Sequence, residues 1–441
     1  MKIQLSFVFC LAAFPVCAMG PHVTPGSVVM TQDRERLVTV AYELTGAPGI
    51  VTFDIQTNRT GAATADEADW VSIGESFLTN ATGDVNKFIG ETGAHAIAWN
   101  PRETWPDHRV RNGGARAVVT AWSTNAPPLY MSASLVRDKE VRFYASAAAV
   151  PGGVQDRVYK TEALLMRRID AQLVDFQVGS AKNEFARYDD ELQHDAVLTN
   201  ANYYMAVYPL TLGQLKCFGR YSSGAGWAKV TLTTGTDCFI YGDYSKAEDG
   251  DTNACPVTIS YGIFRGSYYL SGNRHAVDPS RLVGLVRAKT GVDFDLPTEA
   301  QWEFAARAGT KGQIYDDVVE TTSTDRWHKN LNTRAWYTGS GAKGYHVVGS
   351  KLENPWGLYD MLGNINELCL DRYAEDYGGT EDPYEPEGAA SGSAVAKGGS
   401  YLNDYPQVRI SARIRNGMSS YTYTGGRLMC PVSLVYPADQ K

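Results

Sequence analysis

After Gly309 the chain runs on for about a hundred residues in Gly, Tyr, Asn and Trp, with only brief apolar stretches such as "YHVVGS" at 345–350. Neither a 3.6-residue nor a two-residue hydrophobic period holds across it. A loop-rich region of that length is functional, disordered or supported by a metal, and its Trp and Tyr content argues against disorder. Something must tie this backbone down. Upstream, helices are well punctuated. Thr211 and Gln214 form a capping box ahead of an apolar stripe of Leu212, Leu215 and Phe218. Asp278-Pro279 opens a second helix, with Leu282, Leu285 and Val286 on one face and Gly291 as its stop. Pro297-Thr298 opens a third, again with a Thr-x-x-Gln box and Gly309 at its end. The part from about Leu164 onward is therefore predicted to be α+β.

The first part has a different texture. "RLVTVAYEL" and "GIVTFDIQT" alternate with period two around the turn "TGAPG", and "RAVVTAWS" and "EVRFYASAA" repeat the pattern. Strands separated by turns, with no helix between them, predict a β-sandwich of immunoglobulin or fibronectin type over residues 23–148. Pro151-Gly152-Gly153 interrupts the pattern, so 149–163 reads as a linker. Residues 1–18, an apolar run ending in Val16-Cys17-Ala18, read as a cleaved signal peptide, which predicts a secreted or periplasmic protein. No later apolar run reaches membrane length.

With a net charge of −8 and basic residues scattered without a run, the footprint of a nucleic-acid binder is missing. Five cysteines follow the leader, Cys217, Cys238, Cys255, Cys369 and Cys430, none in Cys-x-x-Cys spacing. Cys238 and Cys255 could close an acidic loop, or remain small apolar residues. The histidines are isolated from one another, so no local histidine metal site is supported. "GSGAKG" at 339–344 precedes a strand-like segment rather than a helix, and "DGDTN" at 249–253 lacks the later glycine and glutamate of a calcium loop. In "GLYDMLGNINELCLD" at 357–371, Asp360 and Glu367 bracket Gly363 and Asn364. Such a turn can wrap two carboxylates and backbone carbonyls around a hard cation, or it can be an Asx-type turn with solvated carboxylates.

Four segments in order, "LPTEAQWEFAARAGT" (296–310), "NPWGLYDMLGNINELCLD" (354–371), "KGGSYLND" (397–404) and "GGRLMC" (425–430), resemble the signature segments of the formylglycine-generating enzyme, or sulfatase-modifying factor, family. "FQVGS" and "YYMAVYPLTLGQ" resemble that domain's opening, so the likeness covers about 164–436. It implies an α+β domain of C-type-lectin-like fold stiffened by structural Ca²⁺, with Asp360 and Glu367 and the carbonyls of Gly363 and Ile365 as ligands.

The family's enzyme oxidises a client cysteine to formylglycine with copper held by two cysteines, three and eight residues after the Gly-Gly-Ser serine. Here those positions are Asn403 and Val408, neither of which offers the thiolate that Cu(I) needs, so copper is not expected. Asn366 and Leu368 stand where the family usually has tryptophans, and Gly426 where it has phenylalanine. The resulting expectation is a catalytically silent binding module for a protein, peptide or glycan, with Tyr401, Asn403, Asp404, Tyr405, Tyr421 and Tyr423 as contact residues. The alternative is a metal- and oxygen-dependent oxidase with a different site. Cys369 and Cys430 lie in signature segments and are expected to pair as a disulfide. Some proteins of this fold are variable products of diversity-generating retroelements, with Asn, Tyr, Ser and Asp clustered between the Gly-Gly-Ser and the terminal Gly-x-Arg-Leu, as here.

Overall fold

The computed structural model describes residues 20–58, 67–110, 113–199, 202–224, 227–240, 250–266, 276–317, 321–375, 392–417, 419–420 and 423–434; the leader at 1–18 and Tyr421 lie outside them. The first part contains β1 (His22–Val23), β2 (Val29–Gln32), β3 (Val38–Thr45), β4 (Gly49–Asn58), β5 (Trp70–Ser72), β6 (Thr82–Gly83), β7 (Phe88–Ile89) and β8 (Gly93–Trp99). A helical turn, α1 (Pro101–Thr104), and β9 (Ala115–Trp122) complete it. Along β3 the expected alternation is present: Val38, Val40, Tyr42 and Leu44 are buried, and the residues between them are not. β3 pairs with β1, β2 and β8, whereas β4 pairs with β5, β7 and β9. The Gly46-Ala47-Pro48 connection thus carries the chain from one sheet to the other instead of closing a hairpin. Val40, Leu44 and Ile97 from one sheet meet Val51, Phe53 and Ile55 from the other in a shared core.

The second part begins with β10 (Tyr130–Ser134), β11 (Val141–Tyr144), β12 (Ala163–Ile169), β13 (Asp175–Val178), β14 (His194–Val197) and β15 (Tyr203–Ala206). After α2 (Leu212–Lys216) come β16 (Gly219–Gly224), β17 (Trp227–Leu232) and β18 (Asp237–Ile240), then α3 (Tyr261–Phe264), α4 (Leu282–Thr290), α5 (Glu299–Arg307) and α6 (Asp325–Arg334). The chain ends in β19 (Asn366–Arg372), β20 (Ser393–Lys397), β21 (Ile414–Gly417), β22 (Thr424–Gly426) and β23 (Met429–Pro431). One sheet runs β11-β10-β12-β15-β23, all antiparallel, and another runs β21-β20-β19-β22 with β22 parallel to β19. Among the described residues no helix is long and apolar enough to cross a membrane.

Two expectations about boundaries fail for the same reason. β10 and β11 join the sheet of β12 and β15, so residues 130–144 ladder with strands of the second part, and a single backbone bond, from Phe143 N to the Asn86 carbonyl at 2.8 Å, ties them to the first. The supposed linker at 149–163 is packed: Val150 and Tyr159 are buried with Tyr130, Tyr144 and Tyr208. The Thr211/Gln214 capping box also anchors it, as Thr211 Oγ1 donates to the Lys160 carbonyl and Gln214 Nε2 to those of Tyr159 and Ala163. A Pro-Gly-Gly signal fixes local backbone shape and says nothing about what lies above it.

The helices follow their punctuation more closely. α5 has the Thr298/Gln301 capping box, and α4 stops at Gly291 with φ 73°. α4 begins at Leu282 rather than at Pro279, because the Asp278 carboxylate accepts from Ser280 N at 2.8 Å and makes a turn ahead of it. A Cβ on Gly284 would lie 2.5 Å from the Asp278 carbonyl, so glycine there lets that turn sit on the helix.

The long loop region is tied down by buried polar side chains. Asn354 Nδ2 donates to the Ala305 carbonyl at the end of α5, and its Oδ1 accepts from Trp356 N and Leu358 N. Asn364 brackets His346, accepting from its N–H and donating to its carbonyl. Arg427 holds three carbonyls, those of Ala206, Val207 and Tyr359, with one guanidinium. These bonds satisfy backbone groups that no ladder reaches, and enclosed backbone must be satisfied.

Candidate functional site

The site is built on residues 397–416. Gly398 and Gly399 both have positive φ, 83° and 76°, and a Cβ on either would come within 2.9 Å of a carbonyl oxygen, Met361 O or Gln407 O. This double-glycine turn brings Ser400 under the next loop. There Asn403 Oδ1 accepts from Ser400 N and Ser400 Oγ, both at 2.7 Å, while its Nδ2 donates to Gln407 Oε1 at 2.9 Å. Both ends of the Asn403 amide are therefore engaged within the loop. Asp404 caps the short turn Tyr405–Gln407 and is exposed. Val408 is fully buried in the core with Trp302, Cys369 and Ile410.

The tyrosines expected to form a contact surface do not converge. Tyr401 is 5% exposed and packs edge-on against Tyr345 and Tyr423 at 4.9 and 5.6 Å, in a cluster with Cys255 and Ile365. It completes the core, which corrects its assignment as a ligand contact. Tyr423 is half-buried against it, and Tyr405 stacks on Phe185 at 5.4 Å in a separate cluster. Alternating aromatic and polar residues in a loop do not encode which ring turns inward.

The three arginines of this segment also divide. Arg409 is enclosed, with Nη1 donating to Glu184 at 2.7 Å and to Glu191 at 2.9 Å. Arg413 makes a two-pronged pair with Glu299 at 2.8 and 3.0 Å. Beside it Lys397, fully buried, donates to Glu303 at 2.9 Å, and Arg307 bonds the same carboxylate at 2.7 Å. Burial alone would push Glu303 up, but the Lys397 and Arg307 charges outweigh it and hold its carboxyl below the usual range. Arg415 alone of the three is exposed.

Where this segment reaches the surface it borders a cleft of about 650 Å³, lined by Tyr188, Asp190, Tyr373, Gln407, Arg413 and Arg415 among others. Tyr373 is its centre. Its hydroxyl donates to Asp190 Oδ2 at 2.5 Å, and its ring has the Arg413 and Arg415 guanidinium carbons at 5.0 and 5.8 Å. Burial, then the Asp190 carboxylate, push the Tyr373 hydroxyl up to about 12, so it stays a donor at neutral pH. The cleft offers an aromatic face, fixed donors and carboxylates. Gln407, one residue from Val408, links cleft and loop. Sequence reasoning did not single out Tyr188, Asp190 or Tyr373; the polar run "RYDD" at 187–190 and the charged end of "CLDRY" are the traces that could have found them.

Residues 174–429, more than half of the chain, match the family described as the sulfatase-modifying factor enzyme 1-like domain. The chain belongs to this family. Among curated relatives, a formylglycine-generating enzyme of Streptomyces coelicolor is 36% identical over 129 residues, 27% of this chain and 41% of that one. One from Thermomonospora curvata is 38% identical over 144 residues, 30% and 48%. An "inactive C-alpha-formylglycine-generating enzyme 2" of Bos taurus is 36% identical over 85 residues, 18% and 27%. The chain thus spans less than half the length of these relatives. Among solved structures, Treponema denticola variable protein 1 aligns with TM-score 0.42 and 23% identity, over 61% of this chain and 95% of that one. PvdO from Pseudomonas aeruginosa aligns with TM-score 0.44 and 20% identity, over 61% and 94%.

The family's copper does not fit this member. Position 403 presents an amide already bonded at both ends, and position 408 an isopropyl group inside the core. The cysteines are not placed to substitute: burial pushes the thiols of Cys217, Cys238, Cys369 and Cys430 up, which opposes the thiolate form that binds metal. None of the five is in a disulfide. Cys369 and Cys430 sit in different core clusters, on β19 and β23 of different sheets, which overturns their expected pairing. Among the described residues no three His, Cys, Asp or Glu side chains are grouped to hold a metal.

The expected calcium ligands fare no better. Glu367 accepts from Arg427 Nη2 at 2.8 Å and Nε at 3.0 Å, and from Trp302 Nε1 at 2.6 Å, so a guanidinium stands where the cation was expected. Asp360 accepts from Gly349 N at 2.6 Å and Asn364 Nδ2 at 3.2 Å, and burial pushes its carboxyl up. The Gly363 carbonyl accepts from Ile365 N. Asp360, Gly363, Ile365 and Glu367 are parts of a hydrogen-bonded turn, and a Ca²⁺ ion on both carboxylates would have to displace Arg427.

Proposed function

We propose that this chain is a catalytically silent member of the sulfatase-modifying factor family that binds a polar ligand, of peptide or glycan type, in the cleft around Tyr373. The reading rests on Asn403 and Val408, which stand where the resemblance puts the family's two thiolates and offer an amide and an isopropyl group that cannot hold copper. A relative named as an inactive formylglycine-generating enzyme is consistent with this reading. The two-sheet first part serves as a β-sandwich that carries the α+β domain. The chain is exported, its leader removed after Ala18.

Binding of the full chain to peptide and glycan arrays, compared with Tyr373→Ala and Arg415→Ala, tests the site. Hits weakened at least tenfold by either substitution are expected; hits unaffected by both would place binding elsewhere. N-terminal sequencing of the protein recovered from periplasm or medium should begin at Met19, and an intact Met1 would contradict export.

A further inference from the structure

A second cleft, of about 530 Å³, opens where β10 and β12 meet the loop at 352–357. Its lining includes Arg167, Arg334, Tyr130, Tyr315, Trp356 and Glu353. The arginines set it apart. Five enclosed guanidiniums elsewhere have a carboxylate: Arg265 has Asp295, Arg307 has Glu303, Arg409 has Glu184 and Glu191, Arg413 has Glu299 and Arg427 has Glu367. Arg167 and Arg334 have none within ion-pair distance among the described residues. Arg167 Nη1 donates to the Arg168 carbonyl at 2.9 Å, and Arg334 Nη1 to the Asn330 carbonyl and Thr333 Oγ1 at 3.1 Å each. Their remaining N–H groups keep open donor capacity.

Tyr315 adds an independent observation. Its hydroxyl is buried and has no hydrogen-bond partner, although the residue lines this cleft. An enclosed unsatisfied hydroxyl carries a desolvation penalty that an incoming acceptor relieves. Burial also draws the Arg167 guanidinium below its usual range, with the Tyr130 hydroxyl beside it and Asp170 only a distant counter-charge. The lining carboxylate, Glu353, is exposed and lies near the Tyr359 hydroxyl. One wall is the Trp356 indole, with the Arg167 guanidinium carbon 5.7 Å from its centre.

We propose that this cleft binds a small organic oxyanion, a carboxylate or phosphate carried on an apolar body. Arg167 and Arg334 grip the head group, Tyr315 donates to it, and Trp356 packs on the body. A planar guanidinium fork matches both kinds of head group, and an indole face suits an aromatic or aliphatic ring. The volume accommodates a ligand of this size.

The probes are benzoate, phenyl phosphate, inorganic phosphate and the neutral benzamide, titrated into the full chain by calorimetry. Benzoate or phenyl phosphate is expected to bind at least tenfold more tightly than benzamide, and the better of the two identifies the head group. Arg334→Gln and Tyr315→Phe should each weaken that binding, tenfold or more for the arginine and severalfold for the tyrosine, with Arg409 and Tyr373 intact. Tyr315→Phe loses no hydrogen bond on folding, so it keeps the test open should an arginine variant fail to fold. Inorganic phosphate binding as tightly as phenyl phosphate would dispense with the apolar body and overturn that half of the proposal. Benzamide binding as well as benzoate, no binding of any probe, or affinities unchanged in both variants would overturn it entirely.

Discussion

Two sets of arginines occupy the same domain and do opposite work. Arg409, Arg413 and Arg427 are enclosed, each fixed to a glutamate by charge-assisted hydrogen bonds. Arg167 and Arg334 face an open cleft with no carboxylate within ion-pair distance among the described residues. Residue type does not separate the sets, although the first is buried and the second only half-buried. The separating feature is whether folding supplies the counter-charge or leaves it to a ligand, and this determines what mutation should disturb.

The largest effect is expected at Arg427. Arg427→Ala strands Glu367 without its cation and frees three carbonyls, so unfolding in urea should show a loss of about 3–5 kcal/mol. Adding or chelating Ca²⁺ should leave both wild type and variant unmoved, because the guanidinium already fills the place of a cation. A calcium-dependent rise in stability that Glu367→Gln abolishes would reverse this reading. Next comes the contrast between two tyrosines. Tyr401→Ala opens a core cavity and should cost about 3 kcal/mol, whereas Tyr373→Ala at the cleft should stay within about 1 kcal/mol. Equal losses would mean that the cleft ring is as structural as the core one.

Acid should act where Lys397 and Arg307 hold Glu303. Glu303 is held below its ordinary value in the folded chain, so it contributes stability that is present above its unfolded pKa of about 4.3 and lost as pH falls through the lower folded value. The urea midpoint of wild type should fall below pH 4 more steeply than that of Glu303→Gln; parallel curves would show that Lys397 and Arg307 do not stabilise its charge. The smallest effect belongs to Arg334→Gln, expected to change stability by less than about 0.5 kcal/mol.

What the sequence made legible was local. Thr211 with Gln214 and Thr298 with Gln301 announce their helices because capping is settled within four residues. The alternation of β3 was equally visible, yet its partner was not, since β3 and β4 go to different sheets and pairing is decided by distant strands. The hairpin at 130–144 was assigned to the wrong part for that reason. Within the site, Gly-Gly-Ser and the two missing thiols could be read directly. Arg409 could not be read as structural, because its partners Glu184 and Glu191 lie 225 and 218 residues away. The same distance hides the support of the loop region, where buried side chains from α5, β19 and the last strands satisfy its backbone.

The central claim is that the scaffold of a copper oxidase is kept here without its metal site. An anaerobic Cu(I) titration of the purified full chain against a competing chelator tests this most directly. The account predicts no stoichiometric tight binding in wild type. One equivalent of Cu(I) held tightly by the wild-type chain would contradict it.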